Sequence, residues 1–262
     1  MSYISEYIDN LNKNERKALS IFLTAGYPYK DKFVDLARNI LDAGADMLEL
    51  GIPFSDPLAD GPIIQASSKV ALDNGVTIKD VLSYSKELSE YSAKPIILMG
   101  YANPIRKYGI NNFMDEAVNS GVKGLIVPDI PLDEHETFFE YSNPALDLIL
   151  LTTPTSSDER IVEIDSKSRG FVYCVSVAGT TGIINDFNKN TGTNLSRTYS
   201  LVKNNKMMIG FGISKPEDIT GFSPFCDGVI VGSKVIKSLL EGDSIEITLK
   251  IVSEFSAACT FR

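Results

Sequence analysis

Eight short apolar runs punctuate this chain, and their spacing limits what it can fold into more than any other feature. They are ALSIFLT at 18–24, MLEL at 47–50, PIILM at 95–99, GLIV at 124–127, LDLILL at 146–151, FVYCVS at 171–176, MMIG at 207–210 and GVIV at 228–231. Runs this short and continuously apolar suit strands buried on both faces of a parallel sheet. Between them, apolar residues at helical spacing predict helices at 32–43, 63–74, 78–91, 112–120, 134–141, 158–168, 195–203 and 245–257. Further helices are expected to start at Ser214, where SKPE has the spacing of a capping box, and after Gly232-Ser233. Residues 3–11 read as a short covering helix ahead of the first strand. Eight strand–helix units in 262 residues is the arithmetic of an α/β fold of the (β/α)8 TIM barrel type. The expectation is one domain over residues 1–262 with an extra N-terminal helix. An open doubly wound sheet competes, since the period alone does not exclude it.

Charge and cysteine content narrow the function. A net charge of -9 and a pI near 4.8 argue against nucleic-acid or membrane-surface roles, which want basic patches. Cys174, Cys226 and Cys259 form no CxxC and leave at least one thiol unpaired, so a reduced, intracellular setting is expected. The N-terminus has no apolar signal core, and no window approaches the ~18 apolar residues of a membrane span. A cytoplasmic protein is the expectation.

In a barrel, function gathers at the C-terminal strand ends and the loops after them. The second such place is the richest. Glu49 is a carboxylate among apolar neighbours at a strand end, and the loop after it, 51–61, carries Asp56 and Asp60. A lone acid in a strand is costly unless paired or kept neutral. Glu49 and Asp60 facing one pocket with differently tuned acidities suit general acid–base work. The plainer alternatives are a salt-bridged Glu49 and a helix-capping Asp60. The other strand ends supply Tyr101, Asn103, Asp129 and Tyr173. After strands six, seven and eight come Gly179-Thr180-Thr181-Gly182, Gly210-Phe211-Gly212 and Gly232-Ser233. Glycine, a small hydroxyl residue and a helix start make an anion site, best matched to phosphate, and no Lys or Arg lies within these loops.

What is absent narrows the reaction. The one histidine, His135, reads as a solvated helix residue, and without a second histidine or a cysteine cluster a zinc site is not expected. No lysine lies in the apolar part of a strand, which disfavours Schiff-base chemistry; Lys206, Lys215 and Lys234 flank strands or begin helices. No GxSxG elbow, Walker loop or complete dinucleotide fingerprint occurs. The residues leave a cofactor-free barrel with two carboxylates, aromatic walls (Phe22, Tyr101, Tyr173, Phe211) and a phosphate cradle.

ELGIPFSDPLADGPIIQ, MGYANP, GLIVPDIP, GFGIS and DGVIVGSKVI, in this order and spacing, resemble the tryptophan synthase alpha subunit family from about Phe22 to Ile236. The resemblance implies a lyase that cleaves indole-3-glycerol phosphate to indole and glyceraldehyde 3-phosphate. It implies Glu49 as the principal acid–base and Asp60 as the contact to the indole N–H. Thr181 would close over Asp60; Phe22, Tyr101, Tyr173 and Phe211 would line the ring pocket; Gly182, Gly212, Gly232 and Ser233 would hold the phosphate. It also implies an alpha2beta2 heterotetramer with a beta subunit that carries pyridoxal phosphate, this chain having no cofactor of its own. The chain departs from the family pattern at Thr180, where a valine is expected beside the closing threonine, and in the polar stretch 184–194. Rival readings are a free-standing lyase, a catalytically weak barrel that serves mainly to bind and regulate its partner, and another phosphate-sugar barrel with a differently placed acid–base pair.

Overall fold

A computed structural model describes residues 2–140, 143–175, 189–210 and 212–261. Eight parallel strands close on themselves in chain order: β1 (Ala18–Thr24), β2 (Met47–Gly51), β3 (Ile96–Met99), β4 (Gly124–Ile126), β5 (Asp147–Thr152), β6 (Phe171–Val175), β7 (Lys206–Gly210) and β8 (Gly228–Val231). β1 pairs with both β2 and β8, so the sheet has no edge and the doubly wound alternative is excluded. The strands are buried almost throughout, which is why their sequences run apolar without alternation.

Twelve helices are present among the described residues. α1 (Tyr3–Lys13) precedes the barrel; α2 (Phe33–Asp42), α3 (Pro62–Asp73), α4 (Ile78–Tyr91), α5 (Ala102–Tyr108), α6 (Ile110–Asn119) and α7 (Leu132–Phe138) follow the first four strands; α8 (Asp158–Lys167), α9 (Lys189–Leu201), α10 (Pro216–Phe222), α11 (Ser233–Leu240) and α12 (Ile245–Ala258) complete the outer ring. Local chemistry sets several ends. Pro62 sits in the first turn of α3, and Gly75, at φ 72°, takes the left-handed turn between α3 and α4. Thr77 and Asp80 close a reciprocal capping box on α4.

Three helical expectations need correction. α5 begins inside MGYANP, at Ala102, where the sequence reads as loop; Pro104 lies in its first turn, a place proline tolerates. α9 begins at Lys189, six residues before the expected start at Leu195, and so takes in part of the polar stretch. The cap near Ser214 forms one residue late: Asp218, not Glu217, accepts the amides of Ser214 (2.8 Å) and Lys215 (3.0 Å).

The N-terminal end of the barrel is sealed. α1 buries Ile4 and Ile8 completely, each worth about 1.5–3 kcal/mol. A Cβ on Gly124 would stand 2.9 Å from Ile4 Cδ1, so the glycine in β4 makes room for the plug. Lys206 at the foot of β7 pairs with Asp9 of α1 at 2.8 Å. Arg16 donates to Asp46 at 2.9 Å and to the Ser256 carbonyl at 2.9 Å, tying β1 and the entry to β2 to α12. The cavities lie at the opposite, C-terminal end.

Candidate active site

Level residues on neighbouring parallel strands share a face of the sheet. Phe22, Glu49, Ile97 and Gly124 are level, and Phe22 faces the open end of the barrel, so Glu49 points inward as well. The Ser20 hydroxyl donates to Glu49 Oε1 at 3.0 Å, while Oε2 has no hydrogen-bond partner. Glu49 is fully buried, and loss of water pushes its carboxyl up from 4.5 to about 8, the Ser20 hydrogen bond opposing the rise. It therefore holds its proton at neutral pH.

Above it lies a cavity of about 430 Å³, walled by Phe22, Met99, Tyr173 and Ile230 from the strands and by Asp60, Ile63 and Ile64 from the β2 loop and α3. Glu49 is not itself in this wall; burial raises the Tyr173 hydroxyl well above its ordinary 10, and the nearby charges of Glu49 and Asp60 add to the rise. Tyr173 thus lies within electrostatic reach of both acids. Glycines give the aromatic rings their room: a Cβ on Gly51 would strike the Phe22 ring, and one on Gly210 the Tyr173 hydroxyl.

Asp60 is buried in the opposite wall, and burial raises its carboxyl to about 6, partly offset by the Tyr101 hydroxyl, which donates to it. The two acids are tuned apart, one protonated and one mostly ionised at pH 7. Tyr101 is expected from sequence in the ring pocket, but it does not line the cavity. Its hydroxyl also accepts the Ala59 amide at 3.1 Å, so it holds the loop that carries Asp60. Asp129, after β4, in turn accepts the Ala102 amide at 3.0 Å and caps α5 behind Tyr101. The Thr24 and Ser67 hydroxyls, 2.6 Å apart, fix α3 to the end of β1.

The far wall brings together Gly212, Gly232 and Ser233, with Lys234 and Lys237 beside them. The two lysines are what sequence reading missed. The available signal was their spacing of three on the helix that Ser233 opens, which puts them on one side of it. Thr181, Gly182 and Phe211, with Thr180 and residues 184–188, lie outside the described residues.

Two further features concern the same end. A second, largely apolar cavity of about 600 Å³ opens between the loops after β2, β4 and β5, with Leu58, Ile130, Pro131 and Thr153 in its wall; Leu58 is 87 % exposed. His135 is not solvated as expected: α7 turns it inward to 8 % exposure, 4.9 Å from the Phe139 ring, with Nε2 unpartnered and its pKa lowered by burial. No cluster of three or more His, Cys, Asp or Glu side chains able to hold a metal occurs among the described residues, and none of their helices is long and apolar enough to cross a membrane.

The family model described as tryptophan synthase alpha chain matches residues 8–259. The tryptophan synthase alpha chain of Petrotoga mobilis is 42% identical over 258 residues, 98% of each chain. The crystal structure of the tryptophan synthase alpha chain from Legionella pneumophila superposes with a TM-score of 0.89 at 34% identity, covering 99% of this chain and 97% of that one. A structure of Mycobacterium tuberculosis tryptophan synthase in its aminoacrylate-bound form gives 0.88 at 29% identity, covering 99% and 100%. Agreement of this extent, in sequence and in fold alike, makes the chain a member of the tryptophan synthase alpha chain family.

Proposed function

We propose that this chain cleaves indole-3-glycerol phosphate to indole and glyceraldehyde 3-phosphate, with Glu49 and Asp60 as the working acids. Cleavage of the bond from indole C3 to the side chain needs a proton placed on C3 and another taken from the hydroxyl of the adjacent side-chain carbon, which becomes the aldehyde. Glu49 delivers the first as the neutral acid and accepts the second as the carboxylate, so it ends as it began. Asp60, ionised, stabilises the positive charge that develops on the ring nitrogen when C3 is protonated. Phe22 and Tyr173 bracket the ring, and Gly212, Gly232 and Ser233 receive the phosphate on backbone amides and the start of α11. The family resemblance assigns Phe211, Gly182 and Thr181 to the same site; they lie outside the described residues.

One observation carries the proposal: the fully buried Glu49 lies level with Phe22 on the next strand, Phe22 and the buried Asp60 line one cavity, and burial raises both carboxyls towards neutrality. General acids work best when their pKa lies near the working pH, and this pair brackets it. The indole passes to a beta chain that carries pyridoxal phosphate, in an alpha2beta2 assembly in the cytoplasm. The loop at 53–60 presents exposed Leu58 towards that partner and joins its surface to Asp60. The test is Glu49→Gln in the complex: cleavage is abolished while indole-3-glycerol phosphate still binds. Near-normal turnover in that variant would remove Glu49 from the acid–base role.

A further inference from the structure

A phosphate monoester brings close to two negative charges at pH 7 into a protein whose net charge is already -9. Neither acidic group near the cavity helps it. Asp60 lines the same cavity, and the Asp218 carboxylate occupies the amide (2.8 Å) and hydroxyl (3.2 Å) of Ser214, another wall residue. Against these stand two cations, Lys234 and Lys237, one helical turn apart on α11 and both in the cavity wall. Lys237 lies 3.6 Å from Glu241, which offsets part of its charge. The Lys234 ammonium has no ion-pair or hydrogen-bond partner among the described residues. It follows Ser233 directly in the chain, is exposed, and packs no part of the core.

A lysine in the wall of a cavity that admits an anion, its ammonium without a partner among the described residues, is free to pair with that anion. We propose that Lys234 is a substrate-binding residue that draws in and holds the dianionic phosphate of the substrate and of any competing phosphate monoester, with Lys237 a weaker outer charge. The proposal rests on the reading of this cavity as the indole-3-glycerol phosphate site. A dianion within a few ångströms of one ammonium in largely aqueous surroundings gains about tenfold in affinity after screening, and most of it is lost at high salt. The charge acts equally on ground and transition states, so KM moves and kcat does not.

The experiment compares Lys234→Gln, Lys234→Arg and a remote control, Lys250→Gln on α12, each assayed as the complex at saturating beta chain. At about 20 mM salt, Lys234→Gln is expected to raise KM for indole-3-glycerol phosphate, and the inhibition constant of glycerol 3-phosphate, about tenfold, with kcat within about twofold. Both ratios are expected to shrink towards one at about 0.5 M salt. Lys234→Arg keeps the parental values, as does Lys250→Gln, which rules out a mere change in net charge. Inhibition by uncharged indole is unaffected. A KM within twofold of the parent at low salt, or an equal change in the indole constant, overturns the proposal. So does a change in beta-chain affinity alone, which would make Lys234 a partner contact. An inert Glu49→Gln variant alongside an unaltered Lys234→Gln would refute this inference alone; an active Glu49→Gln would refute the catalytic reading instead.

Discussion

Glu49→Gln is expected to make the protein more stable at neutral pH, and the gain is expected to depend on pH in a way that only a buried acid produces. In the unfolded chain the carboxyl titrates at its ordinary 4.5; in the fold it titrates at about 8 because it has lost its water. Between these values the folded state binds a proton that the unfolded state does not, so stability falls as pH rises through that window and levels off above about 8. Each pH step of one takes about 1.4 kcal/mol from the fold, giving roughly 3 kcal/mol by pH 7 and roughly 5 by pH 9. Glutamine matches the protonated acid in shape and never ionises, so it escapes this loss. Ser20 still donates to its carbonyl, but its amide meets the unpartnered surroundings of Oε2, which takes back about 1 kcal/mol. The net expectation is a gain of about 2 kcal/mol at pH 7, or about 4–8 °C in Tm for a chain of this size. The gain rises to about 4 kcal/mol at pH 9 and vanishes below about pH 5. Urea unfolding of parent and variant at these three pH values measures it. A difference that does not change with pH, or a variant less stable than the parent at pH 9, would refute a carboxyl held neutral by burial.

Asp60→Asn is expected to lower kcat at least a hundredfold, the loss of a charge aimed at a developing cation, while substrate binding changes little; steady-state cleavage with a binding titration checks both. Asp165 is 1 % exposed and accepts the amides of Lys203, Asn204 and Asn205 at 2.7, 2.8 and 3.0 Å, so Asp165→Ala removes the shared acceptor of three part-buried amides and empties a buried site. A loss of about 3 kcal/mol in denaturant unfolding is expected, with kcat retained once folded. Burial lowers the His135 pKa, so its contribution to stability is present above the ordinary value of 6.5 and is lost as pH falls through the folded value. His135→Leu is therefore expected to flatten the fall in Tm between pH 7 and 5; an unchanged slope would show that another group governs it.

Much of the architecture was legible because it rests on local chemistry. Strands such as ALSIFLT and GVIV are apolar on both faces, and eight of them separated by amphipathic helices leave few alternatives to a barrel. α5 escaped because proline and asparagine read as loop residues, and the acceptor for its first amide, Asp129, reaches it from another strand end. The cap on α10 fell on Asp218 because the turn geometry, not the spacing alone, chose between neighbouring acids. His135 looked solvated because a seven-residue helix carries too short a pattern to tell which side faces in.

The sequence by itself determined the order of strands and helices, the placing of Glu49 and Asp60 at the ends of one strand and its loop, and the glycine-rich strand ends. Those follow from periodicity and turn chemistry, which act over a few residues. Only the tertiary structure decided that Ser20 meets Glu49, that Tyr173 comes within electrostatic reach of two acids from different segments, that Tyr101 braces Asp60, and that Lys234 and Lys237 join the far wall. The acidities of Glu49 and Asp60 belong to that second group. A carboxyl's pKa is set by how much water and charge remain within a few ångströms of it, and its neighbours there come from strands dozens of residues away along the chain.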